Sequence, residues 1–168
     1  MNVTHRDTLA IARIAARRGR IADLTRTVRE RLGIDLPAGP RRAQSNDLAF
    51  IGIGVDAWLA TSETEFDTFA ASLRNTVDES ATVSDQTGAY QVLRLSGPHA
   101  VDVLAKLVDL DLHPKVFSPG SAASTLAGHI PLTFWRLEEG FELAVPRSYS
   151  QGFQHLLAQN AAEFIWPP

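Results

Sequence analysis

The sequence predicts an α+β protein made of two similar split βαβ (ferredoxin-like) units, two sheets with helices packed on them. Three observations carry this. Apolar residues switch between a period of 2 and a period of 3.6 along the chain, so strands and helices are interleaved. The order strand, helix, strand, strand, helix is read twice. The residues partly repeat as well: Gly19 to Pro37 corresponds to Gly97 to Pro114, with ERLGIDLP answering KLVDLDLHP, and Leu59-Ala60, Phe69 and Leu73 recur 84 positions later as Leu143-Ala144, Phe153 and Leu157. The pseudo-repeats cover about residues 9–80 and 81–166 of one domain, 168 residues being enough for a single core.

In the first half, residues 9–15 read as a strand with Arg17-Arg18-Gly19-Arg20 as its polar exit. A helix follows, because Ile21, Leu24, Val28 and Leu32 share one face while Arg20, Asp23, Arg26, Arg29, Glu30 and Arg31 occupy the others. Gly33 stops it and residues 36–42 form a loop. Residues 48–53 and 57–61 read as strands joined by a hairpin turn at Gly54-Val55-Asp56. Ser62, with Glu65 three residues on, has capping-box spacing, so a helix is predicted directly after it with Phe66, Phe69, Ala70 and Leu73 buried. Residues 77–80 turn and 81–85 form a short strand.

Residues 90–95 are dense in β-branched and aromatic side chains, and Gly97-Pro98 ends that strand. Pro98 suits a first helical turn, and Val101, Leu104, Ala105 and Val108 give an apolar stripe widened by Leu107 and Leu110. The helix is expected to end near Val108, where Asp109, Asp111 and His113 begin to alternate with Leu110 and Leu112. Residues 126–135 read as one long half-buried strand, with Pro131 near an edge or bulge. Glu138-Glu139-Gly140 turns, residues 141–145 return, and Pro146-Arg147-Ser148 leads into a final helix packed through Phe153, Leu156, Leu157, Ala161 and Phe164 and ended by Pro167-Pro168.

Composition removes several chemistries. Without Cys there are no disulfides, thiolate metal sites, iron–sulfur clusters or Cys nucleophiles. No apolar run approaches the roughly 20 residues that span a bilayer, and MNVTHRD lacks the apolar segment of a signal peptide, so the expected setting is cytoplasmic with no membrane partner. Residues 1–42 hold ten Arg against four acids and the remainder six bases against fifteen acids, +6 and −9. That basic quarter has no aromatic before Phe50 and its helix mixes Arg with Asp23 and Glu30, so a solvated, locally paired face is favoured over nucleic-acid binding.

Gly52-Ile53-Gly54-Val55-Asp56-Ala57 has the spacing G-x-G-x-x-A, but a strand follows where a dinucleotide loop needs a helix, so a hairpin is favoured. Asp109, Asp111 and His113 lie on one side of an extended segment, yet His5, His99, His129 and His155 are scattered and no closing ligand is evident. His113 is better explained by backbone and Asp111 hydrogen bonds. Neither G-x-S-x-G, H-E-x-x-H nor a phosphate loop occurs. No catalytic residue and no metal ligand is assigned.

Ser84-Asp85-Gln86-Thr87, Leu95-Ser96-Gly97-Pro98, Asp111-Leu112-His113-Pro114 with Phe117 and Pro119-Gly120, and Val145-Pro146-Arg147-Ser148 resemble the gamma subunit of heterotetrameric sarcosine oxidase, over residues 10–164. One departure is Gly54-Val55-Asp56-Ala57-Trp58-Leu59, where the family usually places Gly-Pro before Trp-Leu. The resemblance implies the fold of the folate-binding domain of glycine-cleavage aminomethyltransferases. It also implies a non-catalytic subunit contacting alpha and beta subunits, with a delta subunit in the same complex. FAD, FMN, NAD, zinc and tetrahydrofolate are then expected in the partners and no cofactor on this chain. Asp85, Gln86, Thr87, Gly97, Pro98, Asp111, His113, Pro114, Phe117, Gly120, Arg147 and Ser148 become structural or subunit-contact residues. The rival reading is a free-standing folate-binding protein of one-carbon metabolism, against which the missing Cys and the short length weigh. A partner-binding module of another amine dehydrogenase is a third.

Overall fold

The computed structural model describes residues 1–165, so the expected stop at Pro167-Pro168 lies outside the described residues. In chain order the elements are β1 (Asn2–His5), β2 (Ala10–Ala16), α1 (Ile21–Leu32), β3 (Arg42–Ser45), β4 (Leu48–Gly54), β5 (Ala57–Ser62), α2 (Phe69–Val77), β6 (Ala81–Asp85), β7 (Tyr90–Ser96), α3 (Ala100–Ala105), β8 (Ala122–Ala127), β9 (Ile130–Leu137), β10 (Gly140–Pro146) and α4 (Ser150–Ile165). Single 3-10 turns at Asp78–Ser80 and Arg147–Tyr149 follow α2 and precede α4.

Two antiparallel sheets result, in the orders β3-β4-β5-β2-β6 and β1-β7-β10-β9-β8. The chain divides into two compact units, Thr8–Gly88 and Met1–Asp7 with the residues from Ala89 onward. The series β2, α1, β3, β4, β5, α2 recurs as β7, α3, β8, β9, β10, α4. The strand preceding each series is exchanged: β6 pairs with β2, and β1 pairs with β7. Residues 81–85, expected to open the second repeat, therefore complete the first unit's sheet, while residues 2–5, for which no strand is predicted, fill the equivalent place in the second. Which backbone edge a strand finds is a tertiary choice, invisible to local pattern.

In the first unit α1 and α2 bury Leu24, Val28, Phe69, Leu73 and Val77 against Ala12, Ile14, Phe50, Trp58 and Ala60. In the second, Leu104, Phe153 and Leu157 close over Leu93, Leu95, Phe134, Phe141 and Leu143, where Phe134 stacks on Phe117 at 5.1 Å and meets Phe141 edge-on at 6.2 Å. Each fully buried ring contributes about 1.5–3 kcal/mol by area alone. Alternation does not separate inside from outside here: all six residues of β5 are buried, and on β10 so are Glu142 and Ala144 opposite the core-facing Phe141 and Leu143.

Three local expectations change. Ser62 stays in the sheet, paired with Ala10 and Leu48, and its Oγ accepts the amides of Thr64 and Glu65 at 3.4 Å, closing a turn. The helix begins only at Phe69, leaving Phe66 45% exposed. α3 is shorter than expected and ends in tight turns, Leu107 N to Leu104 O at 2.9 Å and Lys106 N to Val103 O at 3.3 Å. Its buried face is Ala100, Val103 and Leu104, continued by Leu107 and Val108, with Ala105 and Leu110 outside. The long strand over residues 126–135 is instead a hairpin, β8 and β9, broken by Gly128 at φ 61° in a two-residue turn with His129. Pro131 lies beyond the β9–β10 ladder, whose register ends at Thr133↔Ala144, so its missing N–H takes no bond from that pair.

Replacing Phe134 by Ala removes the ring shared by Phe117 and Phe141; urea unfolding is expected to show a loss of about 3–5 kcal/mol with an unchanged slope.

Candidate functional site

The residues singled out by the sequence are brought together in small groups, each tying backbone. At the end of β6, Asp85 Oδ1 accepts the Thr87 amide at 2.9 Å, an Asx turn that presents the Thr87 hydroxyl to β2. That hydroxyl accepts the Ile11 amide at 3.0 Å and donates to the Ile11 carbonyl at 3.2 Å, while the Gln86 amide reaches the same carbonyl at 2.8 Å. The Asp-Gln-Thr run thus extends the β2–β6 ladder after β6 has ended.

In the second unit Gly97 has φ 100°, and a Cβ there would lie 3.2 Å from Met1 Cα, so the glycine admits the start of the chain beside β7. Pro98 follows at the surface, and the Gly97 carbonyl accepts the Ala100 amide at 3.1 Å. Asp111 Oδ1 accepts the His113 amide at 2.9 Å, and His113 Nδ1 accepts the Lys115 amide at 3.2 Å, which commits that nitrogen as an acceptor. The His113 carbonyl then receives Val116 N and Phe117 N at 2.8 and 2.9 Å across Pro114. Arg136 pins the loop from β9: Nη1 donates to the Leu112 and Phe117 carbonyls at 2.9 Å each, its guanidinium lies 5.3 Å from the Phe141 ring, and its carbonyl accepts the Gly120 amide at 2.9 Å. Arg147 donates to the Tyr90 carbonyl at 2.8 Å and to Gln91 Oε1 at 3.4 Å. Gln91 Nε2 in turn reaches Asp7 Oδ1 at 3.1 Å, tying the segment after β1 to β7. Ser148 is exposed.

Sequence reasoning missed the most buried charge of the second unit. Glu142, 3% exposed, stands on β10 opposite Arg94 of β7 and Trp135 of β9. Its Oε1 accepts Arg94 Nη2 at 2.7 Å and Arg94 Nε at 3.2 Å and pairs electrostatically with the Arg6 guanidinium, whose Nε lies 3.1 Å away, and its Oε2 accepts the Trp135 indole at 2.9 Å. With two guanidiniums and an indole in place, both oxygens are occupied in holding strands together. The available signal was a lone acid inside the apolar return strand Phe141-Glu142-Leu143-Ala144-Val145.

The Gly-x-Gly segment is strand and turn, and Gly52 serves close packing: a Cβ there would fall 1.9 Å from the Gly39 carbonyl oxygen. Among the described residues no group of three His, Asp or Glu is placed to hold a metal, so Asp109 does not join Asp111 and His113 in such a cluster. A polar cleft of about 290 Å³ in the first unit is lined by Arg31, Asp47, Ser62, Glu65 and Thr76 among others. The Thr64 hydroxyl, then the backbone amide of Asp47 itself, hold the Asp47 carboxyl below its ordinary 3.8, with Ser62 assisting and slight desolvation opposing. Among the described residues no helix is long and apolar enough to cross a membrane.

This fold defines a class: residues 45–166 match the GCVT N-terminal domain family. The chain is 32% identical over 142 residues to the sarcosine oxidase gamma subunit of Corynebacterium sp. (strain P-1), spanning 83% of this chain and 70% of that one, and 30% identical over 139 residues to the gamma subunit from Arthrobacter sp., spanning 81% and 68%. It superposes on a chain of the heterotetrameric sarcosine oxidase from Corynebacterium sp. U-96, solved with pyrrole 2-carboxylate, with a TM-score of 0.86 at 26% identity, over 99% of this chain and 86% of that one. The chain belongs to the sarcosine oxidase gamma-subunit family. The glycine cleavage aminomethyltransferase of Bartonella henselae shares the fold, with a TM-score of 0.68 at 14% identity over 93% of this chain and 45% of that one.

Glu142→Ala leaves Arg94 and the indole without their acceptor and both guanidiniums without their counter-charge; equilibrium unfolding is expected to show a loss of about 2–4 kcal/mol, and Arg94→Ala a smaller one because Arg94 is partly solvated. Asp47 has a depressed folded pKa, so its contribution is complete above the ordinary value and fades as pH falls through the folded one. The melting-temperature gap between wild type and Asp47→Asn should be constant above about pH 5 and close as the medium becomes more acidic than pH 3.8.

Proposed function

We propose that the chain is the non-catalytic gamma subunit of a heterotetrameric, flavin-dependent sarcosine oxidase. Its alpha, beta and delta partners carry FAD, FMN, NAD, zinc and tetrahydrofolate, and the assembly converts sarcosine, tetrahydrofolate and oxygen to glycine, 5,10-methylenetetrahydrofolate and hydrogen peroxide. The observation that carries this reading is the likeness to a chain of the heterotetrameric enzyme over 99% of the present chain at a TM-score of 0.86. A shape kept along the whole length is what a subunit needs to fit several neighbours.

The residues agree with a structural role. Asp85, Thr87, Asp111, His113, Arg136 and Arg147 spend polar atoms on backbone carbonyls and amides, and Glu142 spends its carboxylate on Arg94 and Trp135. Each bond of this kind contributes on the order of 1 kcal/mol net, more where charged, and together they make loops rigid. A subunit held in register by rigid loops presents a fixed surface, and fixed surfaces lose less entropy on assembly.

Co-expression with alpha, beta and delta chains, followed by affinity capture on alpha and size-exclusion chromatography, should return this chain in constant ratio with the others. The isolated chain should consume no oxygen with sarcosine. Failure to enter the complex, or oxidase activity of the chain alone, overturns the reading. Specific, saturable binding of tetrahydrofolate by the isolated chain would instead favour the free-standing folate protein.

A further inference from the structure

We propose that the open edge of β8 receives an extended, uncharged segment of a partner subunit, which adds a strand to the second unit's sheet. This rests on the subunit reading above and names where one of its contacts falls. β8 ends the order β1-β7-β10-β9-β8. The other edge strands each carry an ionisable side chain: His5 in β1, Arg42 in β3 and Asp85 in β6, over 4, 4 and 5 residues. β8, with the sequence AASTLA, has 6 residues and none. Charge, proline and bulges are the usual means of keeping a water-facing edge from pairing, and β8 has none of them: its register with β9 runs unbroken from Ala122↔Trp135 to Ala127↔Ile130. It also sits inside a run of 20 residues, 116–135, without Asp, Glu, Lys or Arg, in a chain where these make up 21%, and the one histidine of the run, His129, lies in the turn beyond the strand.

The backbone orientation identifies the docking groups. The two-residue turn makes Ala127 and Ile130 a hydrogen-bonded pair, so Thr125 also bonds toward β9, while Ser124 and Leu126 turn their N–H and C=O groups outward. The bond from Arg136 N to Ser121 O at 2.8 Å continues the same alternation, and Pro131, opposite Leu126, occupies a position where no ladder N–H is needed. Beside these groups Leu126 is 54% exposed next to the exposed Pro131. Residues 105–109, with Lys106 and Asp109, flank the Gly128 end of this edge, where the Gly128 amide bonds to the Leu107 carbonyl at 3.3 Å, so the free stretch lies toward Ser124. Outward donors and acceptors at strand spacing, with an apolar handle and no charge on the strand itself, match another polypeptide backbone in extended form.

Area selects the occupant. Pairing β8 with β8 of a second copy would extend about 20 Å and cover a few hundred Å², well short of the roughly 1,200 Å² that stable association needs. The added strand therefore belongs to a chain already held by a wider interface, as a partner subunit of a fixed oligomer is.

Hydrogen–deuterium exchange on the assembled complex tests this with an internal reference. The Ser124 and Leu126 amides should exchange within about threefold of the inward-bonded Thr125 and Ala127 amides. Ser124→Pro removes an outward N–H without taking one from the β8–β9 ladder, and Leu126→Lys places a charge on the edge; each should lower recovery in the complex about tenfold. Exchange at Ser124 and Leu126 about 100-fold faster than at their neighbours overturns the proposal, as does full assembly of both variants. Self-association of the chain that Leu126→Lys abolishes would assign the edge to a second copy and overturn the partner segment. Failure of the wild-type chain to assemble is a separate result, read without any variant, and it removes the subunit reading itself.

Discussion

A carboxylate held inside a sheet by two guanidiniums and an indole is the constraint on which the second unit depends. Taking a charge out of water costs several kcal/mol, so Glu142 is tolerable there only with its partners in place. Those partners come from three directions: Arg94 from β7, Trp135 from β9 and Arg6 from the segment following β1. Sliding β10 by one residue would turn Glu142 toward the core of Leu93, Leu95 and Phe134 and turn Phe141 and Leu143 out of it, so the ion cluster and the hydrophobic pattern specify one register together. The same cluster helps to hold the exchanged strand β1, a four-residue edge, together with its ladder to β7 and the bond from Gln91 to Asp7.

The first unit reaches its neighbouring strand with neutral groups. Its exchanged strand β6 ends in Asp85, whose carboxylate closes a turn that places the Thr87 hydroxyl and the Gln86 amide on Ile11 of β2. Two edges with different chemistry are thus each reinforced just beyond the strand. This division makes sense for a duplicated fold that exchanges its leading strands, because the exchange leaves short connections whose ends need fixing.

Much of the architecture was legible in the sequence. The helix over Ile21–Leu32 and the strands near residues 10, 48, 57, 90 and 140 follow from hydrophobic period and turn residues, and the repeat was visible in Leu59, Phe69 and Leu73 against Leu143, Phe153 and Leu157. Errors fell where a local signal had two uses. Ser62 caps a turn while remaining in its strand, so capping-box spacing placed a helix too early. Gly128 passed for a strand residue although it makes the hairpin turn. The motif residues were found, but their bonding partners Ile11, Arg136, Gln91 and Tyr90 lie up to 76 positions away and are not readable from spacing.

By itself the sequence determined most of the strands and helices, though not β1, β3 or the β8–β9 hairpin, that the set occurs twice, that no thiol chemistry is present, and which short motifs mark the family. Period, turn preference and composition are local properties, and local properties survive in a string of letters. The tertiary structure alone decided that β1 and β6 trade places, that Glu142 is a buried tie and not a solvated acid, and that β8 is left as an uncharged edge. Each of these depends on which strand lies beside which, and pairing between distant strands is settled by the balance of buried area, charge satisfaction and chain connection over a whole unit.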